Sequence, residues 1–221
     1  MHIKMKTNAA LKAFELLQKK FTHPFTIGLG SGSTSEIFVK ILMDNAHALP
    51  PFRCVASSKK IAAMASHTLH FMEDEMFEYL DVYVDGADEV ALDHNYTLIK
   101  GGGGCLTREK ILFSSSKLQI IMVDETKLSH GMIGNAFKKI PVEILPFGST
   151  ATIRKIGLPG KVRENFVTDQ GAIIYDLQAD VSAKILQTIR TIPGVVEVGL
   201  FNHPRILIVA HALDVEVIHV P

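Results

Sequence analysis

The sequence predicts an α/β protein in which a parallel β-sheet domain is joined by a smaller α+β domain. Short apolar runs rich in β-branched residues recur along the first 129 residues, and each ends in a polar or glycine-rich cluster. Amphipathic helical stretches follow at least two of these runs, and alternation of strands and helices is typical of βαβ units. After about residue 129 the regular alternation stops, which indicates a second domain.

The first predicted element is an amphipathic helix, because Leu11, Phe14, Leu17 and Phe21 recur at three- and four-residue spacing. Five predicted strands of the parallel sheet follow along the chain, with the sequences FTIGLG, FRCVA, LDVYV, TLIK and QIIMV. Helices are predicted after the first and fourth strands, in SEIFVKILMDN and LTREKILFSSSK. This order favours a parallel sheet with crossover helices.

The second predicted domain combines strands, two helices and one turn in a different order. Its segments are PVEILPFG, the helical STATIRKI, NFVTDQGAIIYDL, the helical DVSAKILQTIRTI and VVEVGLF, with a turn expected at Asp169-Gln170-Gly171. We interpret residues 130–204 as a ferredoxin-like α+β domain. Because RILIVAHALDVEVIHV is predicted to return to the first domain, that domain comprises residues 1–129 with 205–221.

Composition excludes several classes of protein. Lysine plus arginine and aspartate plus glutamate each number 23 among 221 residues, so no overall charge favours nucleic acid or an acidic membrane. Charged residues interrupt the N-terminal segment, and no apolar run is long enough to span a membrane, so we expect a cytoplasmic protein. The two cysteines, Cys54 and Cys105, match no zinc-binding or redox spacing.

Polar and glycine-rich segments follow four of the predicted strands. They are Ser31–Thr34, Asp85–Glu89, Lys100–Gly104 and Asp124–Lys127. Ligands of open parallel sheets bind beyond the carboxyl ends of the strands. If these strands share one sheet, the four segments converge at one edge, which predicts a binding site there.

The first of these segments is suited to phosphate. Glycines at 28, 30 and 32 allow backbone N–H groups to turn toward an anion, and the following helix N-terminus adds its positive dipole end. Ser33 stands where a dinucleotide fingerprint requires glycine, and no lysine occupies the P-loop position. A tight turn with Ser or Thr capping the helix remains the alternative.

The next two segments carry carboxylates and a glycine run. Asp85 and Asp88 bracket a glycine, and such a pair can bind metal, move protons or grip sugar hydroxyls, or can simply form a turn and a helix cap. Four glycines follow Lys100, and so many are unfavourable unless the backbone passes close to something. We therefore favour a ligand cradle there over a flexible linker.

Three further residues are ambiguous by themselves. Glu109 in the first turn of a helix complements the helix dipole, and Lys127 is typical of a surface lysine. Cys105 has no histidine in a recognisable arrangement and is interpreted as a packing residue.

Taken together, these segments resemble the ribose-5-phosphate isomerase A family. The order and the intervals match along essentially the whole chain, in the motifs GSGST at 30–34, VDGADE at 84–89, KGGGG at 100–104, LTREKI at 106–111, DETK at 124–127, PVEILP at 141–146 and IPGVVEVGLF at 192–201. The resemblance implies a Rossmann-like domain with a ferredoxin-like second domain, a homodimer, and no metal or organic cofactor. It also implies a place in the non-oxidative pentose phosphate pathway.

The resemblance further implies which residues act. Glu109 would be the catalytic base of an aldose–ketose isomerisation through an enediolate, assisted by Asp85, Asp88 and Lys100. The implied substrate-binding residues are Ser31, Gly32, Ser33, Thr34, Asp85, Gly86, Ala87, Asp88, Lys100, Gly101, Gly102, Gly103 and Lys127.

Three other functions are compatible with the sequence. An acyl-CoA transferase would use a glutamate nucleophile but requires a CoA pocket that the sequence does not reveal. A sugar-phosphate deaminase of related architecture is the second. A noncatalytic sugar-phosphate sensor would need a DNA-binding segment, for which the chain has little room before its first strand and no basic excess.

Overall fold

The computed structural model describes residues 2–74, 76–178 and 181–221. The described residues form six α-helices, namely α1 (His2–Lys20), α2 (Ser33–Asp44), α3 (Lys59–Ala65), α4 (Leu106–Ser114), α5 (Ser149–Ile156) and α6 (Ala183–Arg190). None of these described helices is long and apolar enough to cross a membrane.

Fourteen strands lie in the same described residues. They are β1 (Phe25–Leu29), β2 (Phe52–Ala56), β3 (Leu80–Gly86), β4 (Glu89–Ala91), β5 (Thr97–Ile99), β6 (Ser116–Asp124), β7 (Leu128–Ser129), β8 (Ile140–Ile144), β9 (Gly160–Val162), β10 (Ile173–Leu177), β11 (Val195–Val198), β12 (Leu200–Phe201), β13 (Ile206–Ala210) and β14 (Val215–His219).

One compact unit contains residues 2–74, 76–86, 108–126 and 204–221. Its six-stranded sheet has the order β14-β13-β6-β3-β1-β2, and every neighbouring pair is parallel except the pair of β13 with β14. The central strands are continuous apolar runs, as strands covered on both faces must be, and all five residues of β13 are buried. The inner face of α1 packs into the same core through Met5, Phe14 and Leu17.

The other compact unit contains residues 87–107, 127–178 and 181–203. Its order β8-α5-β9-β10-α6-β11 forms an antiparallel sheet in which the strands lie as β11-β8-β10-β9. This is the ferredoxin-like arrangement, so the predicted fold class, a parallel-sheet domain with a smaller ferredoxin-like one, is confirmed. A core of Val142, Ile144, Leu177, Leu186 and similar residues fills it.

The predicted strand TLIK does not join the parallel sheet. It becomes β5, which pairs antiparallel with β4 and with β12 in a separate four-stranded sheet, while β4 also pairs with β7. Residues 87–107, placed by the sequence in the first domain, therefore belong to the second unit. An apolar run of three residues indicates burial but does not specify which sheet receives it.

Two details of the second unit also differ from expectation. The turn at Asp169-Gln170-Gly171 is present, closed by a Gly171 N–H to Thr168 C=O hydrogen bond of 2.9 Å. The antiparallel partner of β10 on that side is nevertheless β9, which lies earlier than the predicted NFV segment. Asp180, at the start of the predicted second helix, lies outside the described residues; the helix itself begins at Ala183, with Ser182 as its cap.

Candidate active site

Strands β1 and β3 approach each other so closely at their carboxyl ends that only glycine fits at position 30. The Gly30 N–H donates to Val84 C=O at 2.9 Å. A Cβ atom at Gly30 would lie 1.8 Å from Asp85 Cγ. The first glycine loop is therefore shaped around the Asp85 carboxyl group.

Asp85 is fully buried at 0% exposure and is surrounded by hydrogen-bond donors. Ser35 Oγ donates to Oδ1 at 2.6 Å, the Gly86 N–H donates to the same oxygen at 2.7 Å, and the Tyr83 hydroxyl donates to Oδ2. A buried carboxyl group needs such partners, because water cannot reach it. Asp85 thus connects the end of β3 to the first turn of α2.

Glu109 lies in the first turn of α4 and is only 4% exposed. The Ser31 hydroxyl donates to Glu109 Oε1 at 2.6 Å, although the two residues are 78 positions apart in the chain. The structure therefore brings together the predicted catalytic base and the first residue of the predicted phosphate loop. The same helix is held in place by Arg108, whose guanidinium donates to Ala56 C=O at 3.0 Å.

The N-terminus of α2 presents hydrogen-bond donors that the helix does not use. Gly32, with a φ of 95°, is the N-cap and has no side chain to cap the helix. The Glu36 N–H to Gly32 C=O bond of 2.8 Å is the first of the helix, so the N–H groups of Ser33 and Thr34 precede it. Lys6 Nζ lies 2.8 Å from Ser33 Oγ and adds a positive charge. Together these groups form an environment that favours an anion.

Asp88, in the second unit, holds the glycine run. Its carboxylate Oδ2 accepts the Gly102 N–H at 2.7 Å, and its own N–H donates to Ile99 C=O at 2.9 Å. A Cβ atom at Gly102 would lie 2.5 Å from Asp88 Oδ1, which explains the need for glycine. The alternative that Asp88 caps a helix is wrong, because the strand β4 follows it. Ala87 before it is half-buried.

Lys100 follows β5 and is only 3% exposed. Its N–H donates to Gly199 C=O at 2.9 Å, and its Nζ lies 5.6 Å from the centre of the Phe201 ring. A lysine is almost never buried without a partner or a function, so Lys100 is a candidate functional cation of the second unit.

The glycine run beyond Lys100 adopts backbone conformations that favour glycine. Gly101 and Gly104 have φ values of 101° and 80°, and the Gly104 N–H closes the turn on Gly101 C=O at 2.9 Å. Gly103 is exposed, and a Cβ atom there would meet nothing within 4 Å. The run is an ordered turn with open space beside Gly103, and its role as a ligand cradle stays a prediction.

The remaining candidates have less distinctive surroundings. Lys127 is half-buried in a short 3₁₀ segment after β6. Cys105 is half-buried with its Sγ 3.9 Å from Gly103 C=O, whereas burial raises the pKa of the Cys54 thiol to about 12. No group of three His, Cys, Asp or Glu side chains in the described residues could hold a metal ion.

Sequence reasoning missed four residues that contact the predicted ones. Tyr83 and Ser35 donate to Asp85, Lys6 contacts Ser33, and Arg163 donates to the glycine run. A buried tyrosine needs a partner for its hydroxyl, so Tyr83 two residues before an aspartate was a usable signal. The other three contacts join segments distant in sequence and had no local signal.

A buried carboxylate beside an anion-favouring helix terminus in one unit, and a buried lysine in the other, are features typical of α/β enzymes that use acid–base chemistry on anionic substrates. The ribose 5-phosphate isomerase A (phosphoriboisomerase A) family model matches residues 53–212. A ribose-5-phosphate isomerase A from Bordetella bronchiseptica is 40% identical over 205 residues, covering 89% of this chain and 87% of the relative. The chain belongs to the ribose-5-phosphate isomerase A family, and it is an isomerase.

Two solved structures match the fold of this chain over nearly its whole length. Ribose 5-phosphate isomerase A from Methanocaldococcus jannaschii superposes with a TM-score of 0.88 at 29% identity, covering 98% of each chain. A D-ribose-5-phosphate isomerase in complex with phospho-erythronic acid has the same TM-score of 0.88 at 30% identity, with 99% of each chain covered. The resemblance deduced from the motifs is thereby confirmed.

Proposed function

We propose that this chain interconverts D-ribose 5-phosphate and D-ribulose 5-phosphate through an enediolate, with Glu109 as the base. The observation that carries the proposal is the buried Glu109 carboxylate, which Ser31 holds by a 2.6 Å hydrogen bond beside the anion-favouring terminus of α2. Moving a hydrogen between C1 and C2 needs a carboxylate that takes the carbon-bound proton and returns it. Family membership and the related structure with a bound four-carbon acid phosphate support the same reaction.

The phosphate end of the substrate is assigned to the loop before α2. The N–H groups of Ser33 and Thr34, the Thr34 hydroxyl and the Lys6 ammonium group supply donors and positive charge. We propose that Lys127 adds a further positive charge there. A firmly held phosphate fixes the distant carbons that react, so its binding free energy supports catalysis as well as affinity.

The reacting end of the substrate is assigned to Lys100 and the glycine run. As the base removes the proton, negative charge develops on the C1 and C2 oxygens. The buried Lys100 ammonium group and the backbone N–H groups of Gly101 and Gly103 are suited to stabilise such charge far better than water does, while the Gly102 N–H donates to Asp88. Asp88, which accepts the Gly102 N–H, orients the sugar hydroxyls and the run itself.

Asp85 is assigned a supporting role in catalysis and not the role of the base. We predict that it assists ring opening or moves a proton between substrate hydroxyls. For that, one of its present donors, which include Tyr83, Ser35 and Gly86, must be replaced by a substrate hydroxyl. Until it does, Asp85 keeps the loop in place.

The proposed chemistry needs no metal ion or organic cofactor, since the fixed charge of Lys100 takes the part that a Lewis acid would play. Exhaustive chelation is expected to leave turnover unchanged. Loss of turnover on chelation, with recovery on adding magnesium or manganese, would overturn this part of the mechanism. A homodimer in the cytoplasm also remains a prediction, and light scattering of the purified protein tests the dimer.

The decisive experiment follows the hydrogen itself. Purified protein, with a chelator present, receives ribose 5-phosphate deuterated at C2, and NMR follows the label into C1 of ribulose 5-phosphate and into solvent. Formation of ribulose 5-phosphate is expected. Its absence with the wild-type protein refutes the proposed function, and release of ammonia from an amino-sugar phosphate would indicate a deaminase instead.

The base is tested by Glu109→Gln, which preserves size and hydrogen-bonding reach but cannot accept a carbon-bound proton. We expect turnover to fall at least about 100-fold, with binding of phospho-erythronic acid largely retained. Glu78→Gln, an exposed glutamate in the same unit, is the matched control and should leave turnover unchanged. If Glu109→Gln retained a tenth of the activity or more, another residue would have to be the base.

A further inference from the structure

Arg163, which follows β9 in the ferredoxin-like sheet, donates hydrogen bonds to the glycine run of the same unit. Its Nη1 donates to Gly102 C=O at 2.9 Å and its Nη2 to Gly101 C=O at 3.1 Å. The guanidinium is itself fixed by Asp176, which accepts from Nε and from Nη2 at 2.7 Å each. The ring of Phe166 lies 5.6 Å from the guanidinium carbon.

These contacts determine which way the peptide groups of the run face. In a trans peptide the C=O of one residue and the N–H of the next point in opposite directions. Because Arg163 holds the C=O groups of Gly101 and Gly102, the N–H groups of Gly102 and Gly103 point away from the guanidinium. The first of them ends on Asp88 Oδ2 at 2.7 Å. The second belongs to exposed Gly103, beside which there is open space.

The conformation of the run is costly without such a restraint. Gly101 and Gly104 both lie at positive φ, and glycine loses more conformational freedom on folding than any other residue. Phe166 packs against the last glycine of the run: a Cβ atom at Gly104 would lie 2.2 Å from its ring, so only glycine fits there. The planar guanidinium of Arg163, with its four hydrogen bonds, can restrain the run in this conformation, and a lysine ammonium group cannot reproduce that geometry.

We propose that Arg163 is a positioning residue of the isomerase, which fixes the peptide planes of the glycine run so that the Gly103 N–H is aimed at the negatively charged oxygens of the enediolate. The inference rests on the proposed function and deepens it. Arg163 does not touch the substrate; it acts through the backbone donors. Its effect therefore belongs to the charged transition state and not to ground-state binding of the sugar phosphate.

The test compares Arg163→Lys with the wild type in turnover and in the binding of two inhibitors. Phospho-erythronic acid carries a planar carboxylate that resembles the enediolate, and erythritol 4-phosphate carries an uncharged hydroxymethyl group in its place. We expect kcat to fall by about 10- to 100-fold with KM nearly unchanged. Affinity for the acid should fall at least about tenfold, measured by calorimetry, while affinity for the alcohol is retained.

Controls separate positioning from stability. Arg154→Lys replaces an exposed arginine of the same unit and should change none of these quantities. Asp176→Asn, which is isosteric and loosens the guanidinium, should shift the ratio of the two affinities in the same direction. If Arg163→Lys does not fold at the assay temperature, the affinity ratio of Asp176→Asn decides the question.

An equal loss of affinity for the acid and the alcohol, or an unchanged ratio of the two, would overturn the inference. The proposed function fails differently, by absence of isomerisation in the wild type. The affinity ratio needs no turnover and so reports on Arg163 separately. If the wild type bound neither compound, both proposals would fall together.

Discussion

Removing the Tyr83 hydroxyl tests whether the buried hydrogen bonds around Asp85 stabilise the parallel-sheet unit. Tyr83→Phe keeps the ring, which packs edge to face on Phe113 with centroids 6.2 Å apart, and removes the hydroxyl that donates to Asp85 Oδ2. Asp85 is 0% exposed, and water cannot replace the missing donor. The expected cost is that of losing one buried hydrogen bond to a carboxyl group, about 1–3 kcal/mol of unfolding free energy.

Urea titration of the purified variant measures this cost. Tyr79→Phe is the matched control, because Tyr79 is 73% exposed and its loss of a hydroxyl should change the unfolding free energy by less than about 0.5 kcal/mol. A loss for Tyr83→Phe no larger than that of the control would refute the reasoning. It would mean that Asp85 is satisfied without Tyr83 and that the network around it does not depend on that bond.

Three further predictions concern single groups. Thr34→Val removes one hydroxyl donor from the phosphate loop and should weaken binding of phospho-erythronic acid by about 1–3 kcal/mol in calorimetry; unchanged affinity would place the phosphate elsewhere. The hydrogen bond to Glu125 raises the pKa of His211 above 6.5, and NMR titration should show it falling in Glu125→Gln. The stability from this contact is then fully present below pH 6.5 and lost as the pH rises through the pKa of His211; a stability profile of the opposite sign would contradict it. At pH 8 Cys105 should react with a thiol reagent in the folded protein and Cys54 only after unfolding, and equal rates would show that Cys54 is not buried as described.

The parallel sheet could be predicted from sequence because its strands carry their own signal. The runs that became β1, β2, β3 and β6 are apolar, β-branched and bounded by polar clusters, which is what strands covered on both faces require. The run TLIK carries the same local signal but belongs to another sheet. Its partners, β4 and β12, are as short as it is, and pairing among short strands depends on the tertiary structure and not on local composition.

In the candidate site, too, local motifs could be predicted from the sequence and contacts between distant segments could not. Glu109 and Lys100 were named because KGGGG and LTREKI together resemble the motifs of the family, although Glu109 by itself was ambiguous. The contact of Ser31 with Glu109 was not predictable as a distance, although both residues were named, since it depends on how β1 and α4 pack. Arg163 lies about 60 positions beyond the glycines whose carbonyl groups it binds, and an arginine in a polar loop is ordinary, so only the folded structure reveals these contacts.

The position of β13 in the parallel sheet constrains how the protein can be made. This strand inserts between β6 and β14, with Ile206 opposite Ile120 and Ala210 opposite Asp124. During synthesis the long apolar edge of β6 must therefore wait, unpaired, until some 80 further residues have left the ribosome. An unpaired apolar edge can pair with another copy of itself. Chains released between residues 198 and 206 are thus expected to aggregate through β6, although the ferredoxin-like sheet, whose last strand ends at Val198, then has all its strands.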